Sequence, residues 1–262
     1  RIMARVVGET LQLVAELPYG PHVGMRVGEP APVPDVDALG TPLVVRSPGN
    51  GWVQQISRRA VIAAVPPGGV VRLETRVGAY LVRNAPLATV WLPADTPMAT
   101  GLIRAAVILG TARTMQQDID FGLRQLNDIA LRALSPAVND PTTATEVALR
   151  IGSIMRPLVL AELPAQSVRD QEGRILLTPF DLDHDEYLQH AFDQLRLYAS
   201  GHPQVLVALA RTMRMLRGAC VLAGGREPII AALDRQLELT VAGCAPEVLP
   251  QDRAKVQAAA RS

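Results

Sequence analysis

The stretch MQQDIDFGLRQLNDIALRALSPAVNDPTTATEVALRIGSI, residues 115–154, contains two amphipathic patterns separated by a short polar turn. Apolar residues recur every three to four positions on both sides of the turn, which is the spacing of helices that bury one face. The pattern predicts helices over 117–133 and 142–155. The turn between them, 135–144, is dense in turn, cap and hydroxyl residues and is the most promising functional spot in the chain.

The turn has a structural explanation. Asp140 stands directly before Pro141, which is the order of an N-cap and a first helical residue. Pro136 ends the preceding helix, and the side chains of Ser135 and Asn139 can bond to local backbone groups. A second interpretation is open. Thr142 and Thr143 place N–H donors and hydroxyls at a helix N-terminus, where anions bind favourably, so a phosphate-bearing ligand is possible there.

The first of the two helices carries charges of alternating sign at every fourth position: Asp120, Arg124, Asp128 and Arg132. Such positions lie on one helix face, so the spacing predicts a ladder of solvated ion pairs. Alternatively, Arg124 and Arg132 present a cationic surface to an anion or to a partner helix. Both interpretations fit the charge pattern.

A candidate ligand site therefore spans the first helix and the turn. It comprises Arg124, Asp128, Arg132, Ser135, Asn139, Asp140, Thr142 and Thr143. Catalytic residues are not predicted, because the sequence contains no Ser-His-Asp order, no HExxH motif and no Gly-rich phosphate loop. The acidic run Asp181–Glu186 suggests a metal-binding site, but Asp183 and Glu186 also have the spacing of a helix capping box. We expect the cap, and neither a metal nor a cofactor.

The block from Thr41 to Leu92 has a different character. Short apolar runs are separated by Gly, Pro and Asn, which predicts five or six short strands with one helix over 57–65. The residues PGNGWVQQI (48–56) and PPGGVVRLETRVGAYLVRNAPLATV (66–90) resemble the barrel-sandwich hairpins of lipoyl-like domains. Carriers of that class attach their cofactor to a lysine, and this block contains none, so a carrier role is excluded.

After residue 95 the pattern is mainly helical. Helices are expected over 95–109 in part, and then over 117–133, 142–155, 184–200, 203–223 and 228–242. Residues 159–165 and 167–177 favour strand or loop, with a tight turn at 170–173. At the other end, Arg1–Leu17 is predicted to be an amphipathic helix, and Pro18–Gly40 a loop rich in Pro and Gly.

Composition excludes several classes of protein. The hydrophobic fraction of 48% is enough for a folded core, and the net charge of +1 gives no basic surface for nucleic acid. Cys220 and Cys244 lie among apolar residues without metal-ligand spacing and are expected to be buried thiols. No apolar run approaches the roughly 18–20 residues that cross a bilayer.

The residues QQDIDFGLRQLNDIALRALSPAVNDPTTA resemble the hallmark of a family of predicted bacterial membrane proteins known as domain of unknown function 2254. The family pattern is matched at Arg113-Thr114, Gln117-Asp118, Phe121-Gly122, Arg124, Leu126 and the stretch 128–144. GWVQQI is similar to the Gly-Tyr-Val-Gln element of the family, with Trp52 in place of Tyr. The resemblance implies transmembrane helices before this segment. The chain opens with Arg1 rather than Met, so we expect residues upstream of it. It supplies no established activity and no catalytic residues.

We therefore expect an α+β protein, with a juxtamembrane helix and linker over 1–40, a small β module over 41–93 and a mainly α-helical domain over 94–262. Its expected role is a cytoplasmic regulatory or assembly domain of a channel- or transporter-like inner-membrane protein, forming a homo-oligomer and binding no nucleic acid. The alternative is an enzyme or sensor that binds a small anionic ligand, phosphorylated or lipid-derived, at the Ser135–Thr143 turn.

Overall fold

The structure is a computed structural model, which describes residues 2–17, 27–93 and 96–261 of the chain. The helices are α1 (Ile2–Glu16), α2 (Arg58–Ala63), α3 (Thr100–Ala105), α4 (Ile119–Ala133), α5 (Pro141–Leu160), α6 (His184–Tyr198), α7 (Pro203–Leu222), α8 (Glu227–Ala242) and α9 (Pro250–Arg261). The strands are β1 (Glu29–Pro30), β2 (Leu43–Arg46), β3 (Gly51–Ile56), β4 (Val70–Leu73), β5 (Tyr80–Leu81), β6 (Pro86–Trp91), β7 (Val107–Gly110), β8 (Ser167–Arg169) and β9 (Ile175–Leu177). The expected α+β class is confirmed.

The chain divides into two compact units. The helical unit comprises Arg1–Ala15, Ile119–Glu162 and Leu182–Ser262, and the β unit comprises Glu16–Asp118 and Leu163–Asp181. The units therefore cut across the segments 1–40, 41–93 and 94–262 that the sequence suggests. A hairpin distant in sequence belongs to the β unit, and α1 belongs to the helical unit.

The β unit contains two sheets. The larger has the strand order β1-β8-β9-β4-β6-β2, and the smaller has the order β5-β3-β7. β4 and β9 are parallel, with Val71 opposite Leu176, while the other pairs are antiparallel. Residues from both sheets and from α2 and α3 meet in one apolar core, which explains why the short strands are stable together.

The strands and the helix predicted over 41–92 are confirmed, but the segment 95–109 differs from the expected partial helix. Only Thr100–Ala105 is helical there, and Val107–Gly110 forms β7, which pairs with β3. A short apolar run fits a helix and a strand equally well by periodicity, and the open edge of β3 decides between them. The hairpin β8–β9, with its turn at Asp170–Gly173, agrees with the sequence prediction. Of the expected loop Pro18–Gly40, residues 18–26 lie outside the described part, and the rest contains β1 and a 3-10 helix at Val36–Leu39.

The helical unit is built around the pair α5 and α7. These helices pack closely where Gly152 of α5 faces Thr212 of α7, because an added Cβ at Gly152 would meet the Thr212 side chain. α4 packs on α5 and α6, and α8 and α9 pack on α7. α5 runs to Leu160, beyond the predicted end at Met155, and includes Pro157. Buried Leu158 and Val159 hold that last turn on the core.

Candidate functional site

The turn between α4 and α5 is closed by its own backbone. The carbonyl of Ser135 accepts hydrogen bonds from the N–H groups of Val138 (3.0 Å) and Asn139 (2.8 Å), and the Asp140 N–H donates to the carbonyl of Ala133 over 2.7 Å. Asn139 has a φ of 46°, in the left-handed region that Asn tolerates better than most residues. The prediction that a turn side chain bonds to local backbone is confirmed for Ser135, whose hydroxyl donates to a backbone carbonyl.

Asp140 caps α5, as the sequence predicts. One of its carboxylate oxygens accepts from the Thr143 N–H at 3.0 Å, and the other accepts from the Thr143 hydroxyl at 2.6 Å. Pro141 follows as the first helical residue. The hydroxyl and then the N–H of Thr143 lower the pKa of Asp140 below its ordinary value. A carboxylate therefore already occupies the helix end at which an anion would bind.

The remaining candidate residues are spread along the surface of α4 and the turn. Arg124 and Asp128 approach to 3.9 Å, with side chains 59% and 57% exposed, so their pairing contributes little. The Ser135 hydroxyl donates to the carbonyl of Arg132 at 2.7 Å, and Arg132, Asn139 and Thr142 are exposed. The geometry joins Asp140 to Thr143 and Arg124 to Asp128. Two cavities in the described part of the chain, of 490 and 660 Å³, are lined by other residues.

The predicted ladder of solvated ion pairs is wrong at its first position. Asp120 is buried, and its carboxylate lies 2.7 Å from Nδ1 of the exposed His190 on α6. Next to this pair, buried Asn127 donates from its side-chain nitrogen to the carbonyls of His190 and Ala191. Asp120 faces α6 because the first turn of α4 packs there, and a contact between residues seventy positions apart leaves no signal in the sequence.

An ion pair with both side chains buried lies in the β unit. The guanidinium of Arg113 donates two hydrogen bonds to the Asp118 carboxylate, at 2.9 and 2.8 Å, and the side chains are 9% and 3% exposed. The guanidinium also stands 5.7 Å from the centre of the Trp52 ring, which contacts Tyr80 edge-on at 5.3 Å. Gly78, with a φ of 82°, leaves the space that the pair fills, since a Cβ there would strike both side chains. We refer to this group as the Arg113–Asp118 cluster.

The cluster unites two elements of the sequence that stand sixty residues apart. GWVQQI supplies Trp52 and Gln54, while Arg113 and Gln117 come from the segment before α4. Gln54 donates to the carbonyl of Ala112 at 2.8 Å, and Gln117 accepts from the Ile56 N–H at 3.0 Å. These motif residues fasten the segment 112–118 to β3, a role that their sequence pattern does not reveal.

Two of the remaining expectations concern caps and thiols. Asp183 and Glu186 form the predicted capping box of α6. Burial lowers the pKa of the neighbouring His184, whose Nε2 lies 3.2 Å from the carbonyl of Ala161. Cys220 and Cys244 are free and buried, as predicted, and burial raises the pKa of the Cys220 thiol.

The described residues offer neither a cluster of metal ligands nor a helix suited to crossing a membrane. Within residues 2–17, 27–93 and 96–261, no group of three or more His, Cys, Asp or Glu side chains could hold a metal ion. Over the same described ranges, none of the helices combines the length and the apolar character that a bilayer crossing requires.

Comparison with known proteins identifies the family. Residues 1–215 match the family described as predicted membrane protein (DUF2254). The chain is also similar to "Uncharacterized protein Rv1290c" of Mycobacterium tuberculosis and to "Uncharacterized protein Mb1321c" of Mycobacterium bovis. It is 34% identical to each over 266 residues, which cover 99% of this chain and 50% of the relative. The chain thus spans about half the length of these relatives, and no solved structure matches it. On this evidence the chain belongs to the predicted membrane protein family DUF2254.

Proposed function

We propose that this chain is the regulatory or assembly part of a bacterial integral membrane protein, and that it forms a homo-oligomer on the cytoplasmic side of the inner membrane. The family description and the half-length coverage of the relatives support a membrane-bound whole protein. Transmembrane helices would precede the chain, and the whole protein would be channel- or transporter-like. The exposed Arg5 near the start of α1 agrees with a cytoplasmic side.

The assembly role rests on one observation, a set of exposed large apolar residues on segments that approach each other at the Ser200–Ala245 hydrogen bond of the helical unit. We call it the end patch: Leu197, Tyr198, Leu239 and Leu249, all of them exposed. Their segments meet there, because the Ala245 N–H donates to the carbonyl of Ser200 at 2.9 Å. Leu197 and Leu249 are 62% and 58% exposed. Groups of large apolar side chains at a surface are typical of contact sites between proteins.

The use of the polar residues agrees with an assembly role. Asp140 and Thr143 close a helix end, and Arg113 and Asp118 pair inside the β unit. These groups are engaged in holding secondary structure, whereas an enzyme needs polar groups that converge on a cavity. The alternative, an enzyme or sensor that binds a phosphorylated or lipid-derived molecule at the Ser135–Thr143 turn, has weaker support. An anion there would meet the Asp140 carboxylate.

Light scattering coupled to size-exclusion chromatography tests the assembly role. The wild-type chain should elute as a discrete oligomer, and the double variant Leu197→Ser/Leu249→Ser should fall to the 28.1 kDa monomer. Leu149→Ser, at an exposed position of α5 outside the end patch, is the matched control and should leave the mass unchanged. A wild-type chain that stays monomeric throughout the micromolar range would refute the proposal.

Native mass spectrometry of the same samples addresses the alternative. A small anion that remains bound to the wild type and is lost in both Arg132→Ala and Thr143→Ala would favour a ligand site at the turn. The membrane side is tested separately in the full-length protein. A fluorescent protein fused to its C-terminus should fluoresce, because that reporter matures in the cytoplasm, and a dark fusion of full length would contradict the proposed side.

A further inference from the structure

A groove of 490 Å³ lies in the β unit beside α2, α3 and β3. Five alanines on or at the ends of α2 and α3 line it, among them Ala60, Ala63 and Ala105. Leu102 and Ile108 complete the apolar lining, and both are exposed at the surface. We call this site the alanine groove. Its volume falls within the range of roughly 300–1,000 Å³ that is typical of small-molecule sites.

The lining defines the charge of a fitting ligand. None of the residues that line the alanine groove is charged, and the polar lining residues are Gln55, Ser57 and Gln117. Transfer of an ion into such surroundings is costly unless a partner of opposite charge is present. The groove therefore favours a neutral, largely apolar molecule and discriminates against phosphates and carboxylates.

The two glutamines define the polar end of the ligand. Gln117 uses its side-chain oxygen to accept from the Ile56 N–H, at 3.0 Å, so its amide nitrogen has both hydrogens left to donate. Within the described part of the chain, neither that nitrogen nor the side chain of Gln55 makes a hydrogen bond of its own. The bond to Ile56 holds Gln117 beside β3, the strand that carries Gln55. Donors are thus available on the β3 side of the groove.

We propose that the alanine groove binds a small neutral amphiphile, with an apolar body along the alanines and a hydrogen-bond acceptor, such as an ester or amide carbonyl, facing Gln117. The alanines leave room for a narrow hydrocarbon chain, and Leu102 and Ile108 cover its sides. The Gln117 amide orients the ligand, because its remaining N–H donors can bind a carbonyl oxygen. No lining residue of the alanine groove belongs to the end patch, so the ligand proposal does not depend on the proposed assembly role.

Titration calorimetry with 1-monolauroylglycerol, below the concentration at which it forms micelles, tests this proposal on the 262-residue chain. Saturable binding of one molecule per chain is expected, and laurate, which has the same chain but a negative charge, should bind at least tenfold more weakly. Binding that is equal for laurate, or absent for the monoglyceride, would overturn the proposal.

Variants then assign the binding to the groove. Ala60→Trp and Ala105→Trp fill it from two exposed positions and should each weaken binding more than tenfold. Ala231→Trp, at an exposed position of α8, is the matched control and should bind like wild type. Circular dichroism should show all three folded; if both groove variants unfold, Gln117→Glu decides instead. It keeps the acceptor for Ile56 and removes the donors, so it should also weaken binding more than tenfold.

Two further outcomes separate this site from other occupants and from the assembly role. If the chain self-associates without ligand and Ala60→Trp abolishes that association, the groove is an interface between copies and the ligand proposal fails. The end-patch variant Leu197→Ser/Leu249→Ser should bind 1-monolauroylglycerol like wild type. Loss of ligand binding in that variant would contradict the independence of the two sites.

Discussion

The Arg113–Asp118 pair should be a major source of stability for the β unit, and Asp118→Asn tests this directly. The substitution keeps the size of the side chain but removes the charge that balances a guanidinium only 9% exposed. Breaking a buried pair by removing one partner typically costs about 3–5 kcal/mol, because an uncompensated charge stays out of water. Two short, charge-assisted hydrogen bonds are weakened at the same time. We expect a loss of about 3 kcal/mol in the free energy of unfolding.

Urea unfolding followed by tryptophan fluorescence measures this loss, since Trp52 and Trp91, the only two tryptophans, both lie in the β unit. Glu172→Gln is the matched control, a carboxylate-to-amide change in the same unit, at an exposed partner of Arg174. It should stay within about 1 kcal/mol of wild type. If Asp118→Asn costs no more than Glu172→Gln, the buried pair does not support the unit and the reasoning is wrong.

Three further predictions concern glycines and a cap. Gly78→Ala should lower the free energy of unfolding in urea by about 1–3 kcal/mol, because a φ of 82° and the crowding around Gly78 do not suit a Cβ. Gly101→Ala, in open space within α3, should raise the free energy of unfolding by about 0.5–1 kcal/mol. Gly122→Ala should speed hydrogen exchange in α1, because a Cβ at position 122 would meet the Thr10 side chain of that helix. Adding Thr10→Ala should restore part of the protection, and no recovery would contradict the contact between the two residues. The lowered pKa of Asp140 contributes stability that is present above its ordinary value of 3.8 and is lost as pH falls through the lowered pKa. Asp140→Asn keeps a capping side chain, so thermal melts from neutral pH down to pH 2.5 should show a smaller decrease in midpoint below pH 4 than wild type, and an identical decrease would refute the assignment.

The candidate site shows which features a sequence can reveal. Asp140 before Pro141, and Asp183 three residues before Glu186, were predicted as caps, and the structure confirms both. A cap is decided by residues within one helical turn, so its signal is complete in the local sequence. Asp120 was predicted on a solvated face, yet it is buried against His190. The partner that decides its environment comes from another helix.

The sequence by itself determined the class of the fold, the positions of most helices and strands, the helix caps and the family, because these depend on periodicity and on short motifs. Tertiary structure alone decided that Val107–Gly110 is a strand, that β8 and β9 extend the sheet through β4, and that Arg113 and Asp118 are buried behind Trp52. The same holds for the alanine groove, whose lining comes from β3, α2, α3, β7 and Gln117. The physical reason is common to all of them. A strand edge, a buried charge or a groove is completed by residues far away in the chain, and the free energy that selects it arises only when those residues meet.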